Sequence, residues 1–181
     1  MIVFFGPPGA GKSVQGQLLA ARQGWRWLST GQLLRDTKDP EIAKILLSGK
    51  LLPAKVANDI MSDALMRAKD LNQVILDGFP RMLEQAKWLI DSQPQHGRSI
   101  SMVIVLEVPI SELIKRLEVR GRTDDIPEVI EERLKVYRTE IYPILTYLTE
   151  QNVPIVHIDG SGSVGQIHDR IMEELTARKL A

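Results

Sequence analysis

The sequence predicts an α/β fold, a five-stranded parallel sheet flanked by helices on both faces. Two observations support it. Short apolar stretches alternate with helical patterns along the chain, the order that builds parallel sheets. The first stretch, Ile2–Phe5, leads into the glycine-rich loop Gly6-Pro7-Pro8-Gly9-Ala10-Gly11-Lys12-Ser13, which opens into a helix.

The elements follow in order. Ile2–Phe5 is wholly apolar, and residues 12–23 carry the helix that leaves the loop. Strand patterns recur at 26–28, 73–76, 101–108 and 154–158. Helical patterns cover 30–36, 40–48, 55–69, 83–92, 110–120, 127–149 and 163–179. Within 110–120, Leu113, Ile114 and Leu117 repeat at three- and four-residue spacing, the period of an amphipathic helix. Pro109-Ile110-Ser111 and Asp159-Gly160-Ser161-Gly162 supply turn and helix-start chemistry after the last two strands. The stretch 30–69 is helical throughout and long for a crossover, so it predicts a small subdomain over the sheet edge. No repeat, low-complexity tract or linker divides the 181 residues, which predicts a single domain.

Composition narrows the function. Hydrophobic residues make up 44% and charged residues 25%, as in an ordinary soluble protein. Lys+Arg and Asp+Glu are both 23, which gives no electrostatic argument for nucleic acid or an anionic membrane. With no cysteine the chain forms neither disulfides nor thiolate zinc sites, in keeping with a reducing compartment. A strand beginning at Ile2 leaves no room for a signal peptide, and no apolar run approaches the ~20 residues that span a bilayer. The expectation is a cytoplasmic protein.

The glycine-rich loop fits the phosphate-binding pattern Gly-x4-Gly-Lys-Ser in full. Its glycines let successive N–H groups turn inward around an anion. The following helix adds its positive end, and the Lys12 ammonium bridges outer phosphates. A plain Gly/Pro turn would not explain Lys12-Ser13 directly after an apolar strand, so the loop predicts a bound nucleoside polyphosphate. In open α/β sheets such ligands lie beyond the C-terminal strand ends.

Four more clusters lie at or near strand ends: Ser29-Thr30-Gly31-Gln32-Leu33-Leu34-Arg35; Leu76-Asp77-Gly78-Phe79-Pro80-Arg81 with Gln85; Arg116, Arg120-Gly121-Arg122-Thr123-Asp124-Asp125 and Arg133; and Gly162-Ser163-Val164. With the loop, they resemble the adenylate kinase family of nucleoside monophosphate kinases, in motif order from Ile2 to about Val164. The combination is more specific than the loop alone. The resemblance implies a P-loop fold with a monophosphate-binding subdomain at about 30–58 and a lid, here reduced to about 120–126. It implies transfer of the terminal phosphate of ATP to AMP, giving two ADP with Mg2+, by a monomer that binds ATP, AMP and ADP.

The same resemblance assigns roles. Gly9, Ala10, Gly11, Lys12, Ser13, Val14, Arg116, Arg120 and Gly162 match the ATP side, with Arg116 against the adenine. Thr30, Gly31, Arg35, Lys50, Leu51, Leu52, Gly78, Phe79, Pro80, Arg81 and Gln85 match the AMP side. There Arg35 and Arg81 hold the phosphate, while the backbone near Leu52 and the Gln85 amide read the base. Arg120, Arg122 and Arg133 match positions at the transferred group. Lys12, Arg81, Arg120, Arg122 and Arg133 form the expected catalytic set. Magnesium is held by phosphates and water, with Ser13 and Asp77 as candidate neighbours and no zinc.

Phosphoryl transfer is mainly positioning and charge neutralisation, which suits several arginine forks. A monophosphate acceptor is already ionised near neutral pH and needs no base. His96, His157 and His168 therefore read as surface or packing residues. Arg116 alone also fits a solvated helix face, and Asp77 a turn before Gly78. Asp124 and Asp125 fit caps of the next helix as well as partners of the arginines. Spacing would put Arg81 and Gln85 on one helix face.

Two departures from the family stand out. Ser13-Val14 replaces the usual Gly-Thr, restoring the hydroxyl of the general motif but removing a hydrogen bond that the threonine makes. The lid is nearly absent. A UMP/CMP kinase is the alternative, but that group places asparagine where Met82 follows Arg81. A small-metabolite kinase would not be expected to carry the Arg35 and Arg81–Gln85 clusters. A non-catalytic nucleotide-binding factor would typically have lost Lys12 or a core arginine.

Overall fold

The computed structural model describes residues 1–71 and 73–181. Strands β1 (Ile2–Phe5), β2 (Arg26–Ser29), β3 (Val74–Asp77), β4 (Met102–Glu107) and β5 (Ile155–Asp159) form one sheet in the order β2-β3-β1-β4-β5. Every pair is parallel, with Val3 of β1 between Leu76 and Val103. The helices among the described residues are α1 (Lys12–Gln23), α2 (Thr30–Asp36), α3 (Pro40–Leu47), α4 (Ala54–Arg67), α5 (Leu83–Asp91), α6 (Gln93–His96), α7 (Ile110–Arg120), α8 (Pro127–Glu150) and α9 (Val164–Ala177).

Alternation along β1 divides the core into two layers. Val3 and Phe5 join Met61, Leu65, Leu89, Ile144 and Leu148 from α4, α5 and α8. Ile2 and Phe4 join Leu19, Leu113, Leu117, Ile171 and Leu175 from α1, α7 and α9. Both faces of the central strands are covered, which explains their unbroken apolar runs. Each large side chain so buried stabilises the fold by about 1.5–3 kcal/mol.

Helix α8 belongs to both layers. Its early residues Ile130 and Leu134 pack in one core, and Ile144 and Leu148 in the other. At about 36 Å long it can pass from one face to the other, carrying Arg133 past the strand ends. The sheet order puts β2 and β3 on one side of β1 and β4 and β5 on the other. That reversal opens a crevice at the C-terminal edge.

The predicted elements agree with these within one or two residues at each end. One element was not expected: Gln93-Pro94-Gln95-His96 forms the short α6, although it has no apolar period. Buried His96 packs against Trp88, with ring centroids 5.9 Å apart, so tertiary contact holds that turn.

Candidate active site

The loops that follow β1, β3 and β5, with helix α2 directly after β2, rim a cleft of about 590 Å³. In the glycine-rich loop, Gly9 adopts φ +85, and a Cβ there would lie 2.9 Å from the Leu113 carbonyl oxygen. Only glycine lets the loop pack this closely on α7. Gly11 caps α1 without a side-chain hydrogen bond, and the first turn holds no acidic residue. The N–H groups at this helix start are thus left to an anion.

Lys12 lies along the loop and donates from Nζ to the carbonyls of Gly6 at 2.6 Å and Pro7 at 3.0 Å. Burial pushes its pKa down to about 8; Asp77 opposes the shift, while Arg81, Arg133 and Arg120 add to it. Ser13 Oγ donates to Asp77 Oδ2 at 2.6 Å. Asp77 is buried at the end of β3, where its neighbours in register are Phe4 and Ser29. Its carboxylate thus bonds to the start of α1 rather than within its own turn.

Among the described residues, eight cationic side chains line the cleft: Lys12, Arg35, Lys50, Arg81, Arg116, Arg120, Arg122 and Arg133. Three carboxylates, Asp77, Glu112 and Asp124, share that lining. Burial lowers the pKa of Arg81, as do the charges of Arg133 and Arg35, with Asp77 opposing. Arg133 is lowered by burial and by Arg120 and Arg122, against Asp124 and Asp125. Arg122 is lowered by burial and by Arg120 and Arg35, against the same two carboxylates. An arginine remains charged through such shifts, so the cluster holds an excess of positive charge.

The segment from Gly121 to Ile126 is the whole connection between α7 and α8. Arg120 grips Asp125 with two donors, Nε at 2.7 Å and Nη2. The Arg122 N–H also donates to Asp125, at 3.2 Å. Arg133 Nη1 donates to Asp124 at 3.0 Å and to Asp125 at 3.4 Å. Burial alone would raise the Asp125 pKa, but the Arg120 and Arg122 hydrogen bonds and the charges of Arg120 and Arg133 hold it low. The capping expectation is corrected here: Ile126 caps α8 without a side-chain bond, and both aspartates serve arginines.

Arg116 is not a solvated helix residue. It pairs with Glu112 and donates to the Gly160 carbonyl at 2.8 Å and the Ala10 carbonyl at 3.5 Å, joining the phosphate loop to the turn after β5. Arg35 is exposed on α2 with a weak contact, 3.4 Å, to Gln32 Oε1.

Arg81 and Gln85 do not share a helix, because α5 begins only at Leu83 behind an extended Met82. A hydrogen bond joins them instead: the Arg81 N–H donates to Gln85 Oε1 at 2.7 Å. Arg81 Nε donates to the Gly78 carbonyl at 2.8 Å. Gln85 Nε2 donates to no protein group among the described residues.

The remaining predicted residues divide by position. Gly9, Gly11, Ser13, Val14, Gly31 and Gly162 line the main cleft. Leu51, Gly78 and Pro80 line an adjoining cavity of about 90 Å³, shared with Lys12, Arg81 and Arg133. Ala10, Thr30, Leu52, Phe79 and Gln85 are buried and line neither space.

Residues missed from the sequence include Glu112, one helical turn before Arg116, and Gln15 and Gly49. Gly49 has φ +75, and a Cβ there would come within 3.2 Å of Val129 and the Arg133 stem. The α3–α4 link thus lies against α8. His157 is exposed beside Glu107, 2.7 Å away, and His96 and His168 are buried.

A ligand matching this surplus of positive charge carries several negative charges. With a phosphate loop at the sheet's reversal point, the arrangement defines a phosphotransferase of the P-loop class. Comparison with known proteins narrows it. The family model described as Adenylate kinase matches residues 4–153. The adenylate kinase of Mycolicibacterium paratuberculosis is 38% identical over 177 residues, covering 94% of this chain and 96% of the relative. Those of Mycobacteroides abscessus and Mycobacterium leprae (strain Br4923) are 38% and 37% identical over 180 residues, each covering 96% of this chain and 98% of the relative. The chain belongs to the adenylate kinase family. Near-complete coverage in both directions leaves no room for a long inserted lid in these relatives.

Proposed function

We propose that the protein transfers the terminal phosphoryl group of ATP to AMP and releases two ADP. The observation that carries this reading is the concentration of eight cationic side chains against three carboxylates around one phosphate loop. They come from α1, α2, α7, α8 and the connecting loops, so they can surround two nucleotides rather than one.

On the donor side, Gly9 to Val14 hold the polyphosphate, with Lys12 leaving its loop carbonyls for phosphate oxygens. Arg116, pinned by backbone carbonyls, presents its guanidinium face to the donor base beside Gly162. On the acceptor side, Arg35 and Arg81 hold the monophosphate, with Thr30, Gly31, Lys50, Leu51, Leu52, Gly78, Phe79 and Pro80 shaping the surrounding site. Gln85 offers Nε2 to a ring nitrogen of adenine and the second lone pair of Oε1 to the exocyclic amine. Arg120, Arg122 and Arg133 meet at the transferred group, held by Asp124 and Asp125. An acceptor phosphate oxygen bonds to the terminal phosphorus as the bridging oxygen leaves with its electron pair on ADP. No proton must be removed from the ionised acceptor.

Magnesium fits this arrangement through hard oxygen donors, Ser13 Oγ and Asp77, which are 2.6 Å apart. When bound with the nucleotide, it offsets phosphate charge. Among the described residues there is no cluster of three or more His, Cys, Asp or Glu that could hold a metal ion; nucleotide phosphates and water would supply the ligands that Ser13 and Asp77 do not.

The direct test follows the products by phosphorus NMR. ATP and AMP should disappear in equal amounts as ADP forms. Phosphate release in place of ADP would contradict the reading.

The short α7–α8 connection has a consequence for water. Closure falls to the helical segment 30–58, whose Gly49 meets α8, while the donor phosphates lack a covering lid. ATP hydrolysis without AMP is therefore expected to exceed that of a long-lid relative measured alongside. Equal or lower phosphate release would refute this.

Lys12 also predicts a pH dependence. Its pKa of about 8 means that the free protein loses this charge as pH rises above 8. A bound polyphosphate favours the charged form, so binding above pH 8 takes up a proton. Affinity for an ATP analogue should then fall with rising pH, by at most about tenfold per unit. Lys12→Met should lack that slope, and a flat profile for the unmodified protein would contradict it.

A further inference from the structure

The turn after β5 is held by side chains from two helices, and the start of α9 just beyond it by a third. Arg170 of α9 donates to the carbonyls of Asp159 at 2.7 Å and Ser161 at 2.8 Å. Arg116 of α7 takes the Gly160 carbonyl at 2.8 Å. Gln15 of α1 reaches the first residue of α9, donating from Nε2 to the Val164 carbonyl at 2.9 Å.

Gln15 is the informative member. It is 1% exposed and lies three residues after Lys12 on the helix that starts at the phosphate loop. Val164 and Gly162 line the same cleft as that loop. One buried amide thus ties the helix that starts at the phosphate loop to the start of α9, just beyond that turn. An amide can flip, however, and a flipped Gln15 would point Oε1 at the Val164 carbonyl, oxygen against oxygen. His168 of α9, also 1% exposed, prevents this: its Nδ1 lies 3.2 Å from Gln15 Oε1. Oε1 can only accept, so Nδ1 carries the proton. Burial lowers the His168 pKa, as does the charge of Arg22, while Asp169 opposes.

We propose that Gln15 and His168 are positioning residues for the donor nucleotide: His168 fixes the Gln15 amide, and Gln15 fixes the start of α9, and with it the preceding Gly162 turn, relative to the phosphate loop. This rests on the proposed reading of that half of the cleft as the ATP side. Neither side chain touches the reacting atoms, and the AMP side lies on other elements.

The test is calorimetric titration of a non-hydrolysable ATP analogue and, separately, of AMP. His168→Leu and Gln15→Met should each weaken the analogue by about fivefold, as the loss of one buried hydrogen bond does. AMP affinity should stay within about twofold. His168→Gln supplies an N–H donor from an uncharged side chain and should restore donor affinity. If His168→Leu does not fold, Gln15→Met and His168→Gln carry the comparison. Unchanged analogue affinity, equal loss of both ligands, or no recovery in His168→Gln would overturn the proposal. If the unmodified protein bound AMP but not the analogue, the donor-site reading would fall first and the positioning role with it.

Discussion

Lys12→Met should lower turnover by at least about 10²-fold, the scale of losing one preorganised charge contact to a transition state. The substitution keeps an unbranched chain of similar length and removes the ammonium together with its hydrogen bonds to the Gly6 and Pro7 carbonyls. Burial pushes the pKa of that ammonium down and Arg81, Arg133 and Arg120 push it further, with Asp77 opposing. Without nucleotide the buried charge is a cost to the fold that its two loop hydrogen bonds offset, so thermal stability should change little in the variant. Lost turnover with retained stability would place Lys12 in the chemistry. Near-normal turnover in the purified variant would remove the phosphate loop from the catalytic account.

Arg81→Lys separates charge from geometry. Arg81 already commits Nε to the Gly78 carbonyl and its backbone N–H to Gln85, leaving the terminal guanidinium nitrogens for a ligand. A lysine has no second donor group with which to hold the Gly78 carbonyl while gripping phosphate. AMP-dependent turnover should fall on the order of 10²-fold, with affinity for an ATP analogue nearly unchanged. Titration of both ligands on one sample decides it. Equal weakening of the two would make Arg81 a shared or structural residue.

The sheet was legible because its signals are local and strong. β1, β3 and most of β4 are buried on both faces, so each reads as a continuous apolar run. The phosphate loop was legible for a related reason: its glycines answer to backbone conformations, and Gly9 and Gly11 have φ +85 and +95. Side-chain partnership was less so. Asp124 and Asp125 sit where caps are expected, yet three-dimensional proximity to Arg120 and Arg133 claims them. The extended Met82 delayed α5 and removed the helical spacing assumed for Arg81 and Gln85. Gly49 and the Gln15–His168 pair join segments distant in sequence, where no local pattern points.

The central claim is that this cleft selects AMP as acceptor. Gln85 is buried and bonded through Oε1 to the Arg81 N–H, which fixes its amide relative to the arginine expected to hold the phosphate. A site built to hydrogen-bond its substrate rejects one that leaves its polar groups unpaired. The decisive measurement is kcat/KM for AMP, GMP, CMP and UMP with ATP as donor. The account predicts a strong preference for AMP, relaxed in Gln85→Leu mainly by weaker use of AMP. Equal or better use of CMP or UMP by the unmodified enzyme would contradict it.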